Sequence, residues 1–137
     1  MTAALEADGW DVVPVRAGHV APEPPSHGDT DRFGFVYLAQ GADEDALRAA
    51  FDAGDFPSYE VFSQRTGSDL YAITRLTDPD LALAVLLVGA VDLSHATALA
   101  SVAHDRGEMY SHVQLLDGTH LGSVRHDDPA NFLPEDV

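Results

Sequence analysis

A chain of 137 residues, 45% of them apolar, is long enough to bury roughly two-thirds of its unfolded surface without a disulfide or a structural metal. Its 23 acids against 7 bases leave a net charge of −16, which argues against the basic patch that nucleic acid or an anionic membrane surface requires. The absence of cysteine removes disulfides, thiol catalysis and thiolate zinc sites together.

Thr2 to Asp8 has the pattern of a short helix, with Thr2 at its N-cap and Gly9 as its stop. With hardly two turns, it must dock to persist. Trp10 to Arg16 alternates as a strand, and Pro14, which has no N–H, assigns that strand to a sheet edge. Gly18 to Asp31, rich in proline and glycine with little to bury, reads as a long surface loop. Phe33 to Ala39 is the next strand. Asp43 is placed to cap a helix through Ala53, with Leu47, Ala50 and Phe51 on its inner stripe and Gly54 as its stop.

Tyr59 to Thr66 and Asp69 to Thr77 make a hairpin around Gly67-Ser68, a two-residue loop whose leading glycine suits a type II′ turn. That loop sets Phe62 opposite Ile73 and Glu60 opposite Arg75, an opposite-charge cross-strand pair. Leu81 to Val91 follows, without a charge or a hydrogen-bonding side chain. It is too short for a bilayer, which takes ~20 apolar residues, and it reads as a strand covered on both faces. The expectation is that it forms the centre of the sheet.

Asp92 or Ser94 caps a helix to Arg106, ended by Gly107. Glu108 to Leu116 and Thr119 to His126 form a last hairpin around Asp117-Gly118. Its alternation sets Met109, Val113, Leu115 and Val124 on one face and Tyr110, His112, Gln114, Ser123 and Arg125 on the other. The tail at 127–137 is acidic, with Phe132 and Leu133 expected to fold back onto the body. The fold class that results is α+β: one domain over 1–137, a mostly antiparallel sheet of six to seven strands, two main helices on one side and a short N-terminal helix.

All seven bases are arginine, lysine is absent, and Asp outnumbers Glu seventeen to six. Like charges at this density repel and loosen a compact chain, but above ~1 M salt the Debye length falls to about 3 Å and the repulsion is screened. The composition therefore reads as that of a salt-adapted protein. Met1 to Gly9 carries no signal-peptide pattern, so the expected compartment is the cytoplasm.

Seven histidines are the residues with most chemical potential, as neutral imidazole is the commonest metal ligand and titrates near neutrality. His95 and His104 are nine apart, about half a turn out of phase on a helix. His120 and His126 share a strand face but lie six apart, ~20 Å, too far to chelate one ion. A metal site from His104, His120 and His126 thus depends on the fold bringing them together. The face of Tyr110, His112, Gln114, Ser123 and Arg125 is the candidate ligand site, with Arg125 as charge and His112 as proton-responsive group. Its plainer reading is a solvated outer sheet face. No nucleophile elbow and no phosphate-binding glycine loop occurs, so no catalytic residue and no cofactor is assigned. Acid pairs such as Asp43/Asp45 and Asp78/Asp80 are what a chain this acidic gives by coincidence and helix capping.

Gly9-Trp10-Asp11-Val12-Val13, Tyr59-Glu60-Val61-Phe62, the Leu81 to Val91 strand and His126-Asp127-Asp128-Pro129-x-x-Phe132 together resemble a family of small haloarchaeal proteins of unknown function. The resemblance covers most of the chain beyond residue 8 and implies no site residues. The element order is also similar to secretion-chaperone α+β domains, which implies a dimer that binds other proteins. The expected function is a non-enzymatic interaction or adaptor module, a homodimer docking through an exposed sheet face or the Pro14 edge. The alternative is a small-molecule or metal-binding protein, with enzymatic activity left open, using histidines with Arg125.

Overall fold

A computed structural model describes residues 2–23 and 33–133. In chain order its elements are α1 (Thr2–Ala7), β1 (Asp11–Glu23), β2 (Gly34–Ala39), α2 (Glu44–Ala53), β3 (Ser58–Thr66), β4 (Asp69–Asp78), β5 (Leu83–Asp92), α3 (Thr97–Arg106), β6 (Met109–Leu115) and β7 (His120–His126). Single 3₁₀ turns precede α2 and α3 and follow β7. The fold is α+β, and the described strands form one open sheet in the order β3-β4-β5-β1-β2-β6-β7.

That sheet is mixed rather than mostly antiparallel. β1 runs parallel to β5, and β2 parallel to β6, while the hairpin neighbours are antiparallel. The reason is connectivity. β1 and β2 pair antiparallel in the middle, and the passages through α2 and α3 carry the chain to the far flank of one or the other. Alternation within a strand carries no information about which neighbour such a crossover will choose.

β1 is the middle strand, which corrects the edge assignment drawn from Pro14. Pro14 lies in the half of β1 that pairs only with β5, since β2 joins β1 from Val20 onward. Among the described residues no strand pairs with the other flank of that half, and there a missing N–H breaks no ladder. β1 also runs on to Glu23, so much of the expected loop from Gly18 is strand; residues 24–32 lie outside the described residues. β5 is interior, between β4 and β1, but not central.

Local chemistry sets the element ends. Gly67 has φ +63° at the first turn position, and the hairpin register pairs Phe62 with Ile73 and Glu60 with Arg75, as a two-residue loop requires. Gly107 ends α3 in the left-handed conformation, its N–H bonded to the Ala103 carbonyl. Asp92 accepts from the Ser94 N–H (3.0 Å) and so caps the 3₁₀ turn Leu93–His95, whereas α3 itself begins at Thr97. Asp43 stands at the N-cap of α2 without a side-chain capping bond.

The sheet curls until its two edges meet. Tyr59 on β3 lies 4.4 Å, ring to ring, from His126 on β7, although these strands are first and last in the order. Val15, Phe35, Tyr37, Leu76, Leu87 and Val113 fill the concave side in one core cluster with Leu47 and Ala50 of α2, Leu99 and Ala103 of α3, and the buried Phe132 and Leu133. α2 sits close over β7 because Gly122 leaves room for Phe51; a Cβ there would stand 2.3 Å from the ring. No helix among the described residues is long and apolar enough to cross a membrane.

Candidate functional site

Three places on this scaffold gather chemistry: the outer face of β3-β4-β5-β1, the outer face of β6-β7, and the seam where the sheet edges meet.

On the first, strand register lays out three rows. Gln64, Tyr71 and Ala90 form one; Phe62, Ile73, Val88 and Arg16 the next; Glu60, Arg75, Leu86 and Pro14 the third. Phe62 and Tyr71 are 41% and 53% exposed. Beside them a hollow of about 630 Å³ opens, lined by Arg16, Phe62, Tyr71, Ile73, Val88 and Ala90. It opens where β5 supplies the small Ala90 opposite Tyr71 of β4. Acids are scarce here despite the composition. Glu60 is ion-paired with Arg75, and Asp69 and Asp92 sit opposite each other at the strand ends. Arg75 also lies over the Phe62 ring at 5.6 Å.

The second place carries the ligand candidates named from sequence. β6–β7 register sets Tyr110 opposite Arg125 and His112 opposite Ser123, with Gln114 opposite His120. A register shift between Val113 and Gln114 then changes the neighbourhood: His120 falls on the same face as Ser123 instead of sharing one with His126. His112 Nδ1 is 2.6 Å and His120 Nε2 2.5 Å from Ser123 Oγ. A hydroxyl has one hydrogen, so it donates to one imidazole and accepts from the other. The Tyr110 ring stacks on His112, 5.6 Å away and within 8° of parallel. Arg125 pairs with Glu108 at 2.6 Å, and that partner raises its pKa.

The third place is buried. His126 Nε2 is 2.8 Å from Ser111 Oγ, while its Nδ1 has no hydrogen-bond partner among the described residues. Its ring is held between Tyr59 and Phe132, each 4.4 Å away. Burial pushes its pKa down to about 4, against the opposing pull of Asp127. Nearby, the fully buried Tyr37 hydroxyl is pushed up to about 12 by desolvation, moderated by the Thr74 and Ser111 hydroxyls.

His104 is exposed on α3, His120 is exposed outside the sheet and His126 is enclosed within it. Among the described residues no group of three His, Asp or Glu side chains is placed to hold a metal ion. His27 and the side chain of His19 lie outside the described residues. Arg16, Phe62, Tyr71 and Ala90 were not picked out by sequence reasoning. The available signal was two-sided apolarity: β3 and β4 carry Tyr59, Val61 and Leu76 inward, yet also Phe62, Tyr71 and Ile73 outward.

The family model described as a family of unknown function, DUF7529, matches residues 1–134. The chain belongs to that family. No curated protein and no solved structure matches it. Membership of the DUF7529 family assigns no activity.

Proposed function

We propose that this DUF7529 member is a non-enzymatic protein-interaction module of a salt-rich, haloarchaeal type of cytoplasm, docking through the outer face of β3-β4-β5-β1. The observation that carries the reading is the scarcity of carboxylates on that face in a chain of net charge −16. A surface adapted only to solvent would wear acids there too; exposed aromatics beside a hollow are what a docked partner covers. The core cluster shared by α2, α3 and the concave side supports both helices packing inside, leaving the outer face to the partner. A photoreactive residue at Phe62 should form protein adducts in a high-salt lysate, while one at the exposed Asp105 should not. Equal labelling at both, or none at Phe62, would remove the reading. Salt adaptation has its own test: heat resistance should fall on dialysis from concentrated potassium chloride into dilute buffer, as screening is lost.

A second reading is favoured by one contact set. Two imidazole nitrogens face one oxygen at Ser123, an arrangement that suits a polar small molecule or a divalent transition metal with solvent completing its shell. Titration with nickel or copper should saturate at one equivalent and be lost in His120→Ala. Binding that survives this change would locate the metal elsewhere.

A further inference from the structure

We infer that the partner of the outer face is a second copy of this chain, joined about a twofold axis that runs along the strands between β4 and β5. The inference rests on the docking reading above and names its occupant.

The three rows supply the argument. Such an axis lays β4 of one copy over β5 of the other, and β3 over β1, with each row facing itself. In the first row the half-exposed Tyr71 then stands over the partner copy's small β5 residue, the equivalent of Ala90, where the hollow is. In the second, Ile73 meets the equivalent of Val88, and Arg16 comes over the equivalent of Phe62, with the acid equivalent to Glu60 one row away. Among the described residues Arg16 makes no ion pair, and the Glu60 carboxylate, though paired with Arg75, stays 60% exposed, so the contact brings a second cation to the partner copy's Glu60 and Phe62. A twofold contact needs one patch to be complementary to itself, and this patch holds knob and hole, cation and anion, on opposite sides of one line.

Size agrees. β4 and β5 are ten residues each. Four strands of that length, ~4.8 Å apart and rising ~3.3 Å per residue, span roughly 600 Å² of the convex face. Side-chain relief brings that toward the ~800 Å² per partner of a standard interface. Facing sheets pack about 10 Å apart, within reach of Tyr71 and Arg16.

The test uses the purified full chain in concentrated potassium chloride. Sedimentation equilibrium should give twice 14.6 kDa. Tyr71→Ala, which empties the hollow, and Ala90→Tyr, which sets tyrosine on tyrosine, should each weaken the dimer at least tenfold. The double variant exchanges knob and hole and should recover most of that loss. In the unmutated interface, a photoreactive residue at Gln64 of an isotope-labelled copy should crosslink to the 12–19 segment of an unlabelled one, which reads the geometry even if a variant fails to fold. A dimer indifferent to both single variants, or crosslinked elsewhere, overturns the inference. A monomer overturns it too; if Phe62 still captures a protein in lysate, the docking reading stands with a different occupant, and if it captures nothing, both fall.

Discussion

On its concave side β4 places Leu70, Thr74 and Leu76, all buried; on its convex side the same strand places Tyr71, Ile73 and Arg75, none of them buried. Leu70 and Leu76 belong to the core cluster of their own chain, together with residues of α2, α3 and the segment ending in Leu133. The outer ones are only half covered by each other. Both faces are rich in apolar groups, so composition alone does not separate a core from a docking surface. What separates them is the treatment of polar atoms. Inside, polar groups are few and enclosed, His126 against the Tyr59 and Phe132 rings and Tyr37 beside the Thr74 and Ser111 hydroxyls. Outside, charge is limited to a few groups, Arg16 on β1 and the paired Glu60 and Arg75 on β3 and β4. On the docking reading proposed above, this lets the face stay wet until a partner covers it.

The sharpest way to break the contrast is to damage the inner face where it has no slack. Gly122→Val would drive a branched side chain into the Phe51 ring, already 2.3 Å from where a Cβ would stand. A loss of about 3 kcal/mol or more is expected in chemical denaturation. Gly34→Ala should be comparably harmful, because its Cβ would fall 2.0 Å from the Tyr110 carbonyl oxygen, where β2 and β6 approach.

Next in size is the proton at the seam. The unfolded histidine binds a proton below about pH 6.5, whereas the folded His126 resists until about pH 4. Between these values the unfolded state holds more protons, so stability falls as pH falls, by about 3 kcal/mol once below pH 4. Above pH 6.5 the effect is absent. Denaturant midpoints measured from pH 8 to pH 4 should show His126→Asn losing less stability than the parent across that window. Parallel curves would show that His126 is not the group responsible.

On the outer face the same experiments should register little. Tyr71→Glu should shift monomer stability by no more than about 0.5 kcal/mol while abolishing self-association. Smallest of all, Arg125→Ala removes an exposed ion pair with Glu108, and its denaturation midpoint should be indistinguishable from that of the parent. A large effect at either position would mean that the outer face is needed for folding, and the contrast between the faces would dissolve.

Much of this molecule could be read locally. The Gly67 turn, the Phe62–Ile73 and Glu60–Arg75 pairs, the Gly107 stop and the burial of Phe132 and Leu133 all follow from a few neighbouring residues and from chain stereochemistry. Pro14 misled because a proline reports on one flank of a strand. β1 is central overall, yet among the described residues no strand pairs with its other flank where Pro14 sits. The candidate site at Ser123 was legible as a face but not as a contact set. The register shift beyond Val113 moves His120 by one side-chain alternation, and nothing in the residue types announces it.

What the sequence determined by itself is therefore most of the elements, most of their inward and outward residues, and a net charge of −16. Tertiary structure alone decided that β1 lies between β5 and β2, that Tyr59 and His126 touch across the curled sheet, and that Phe62, Tyr71 and Arg16 share one outer patch. The physical reason is range. Turns, caps and alternation depend on bonds within a few residues, while strand order and curvature depend on which distant surfaces bury the most apolar area together.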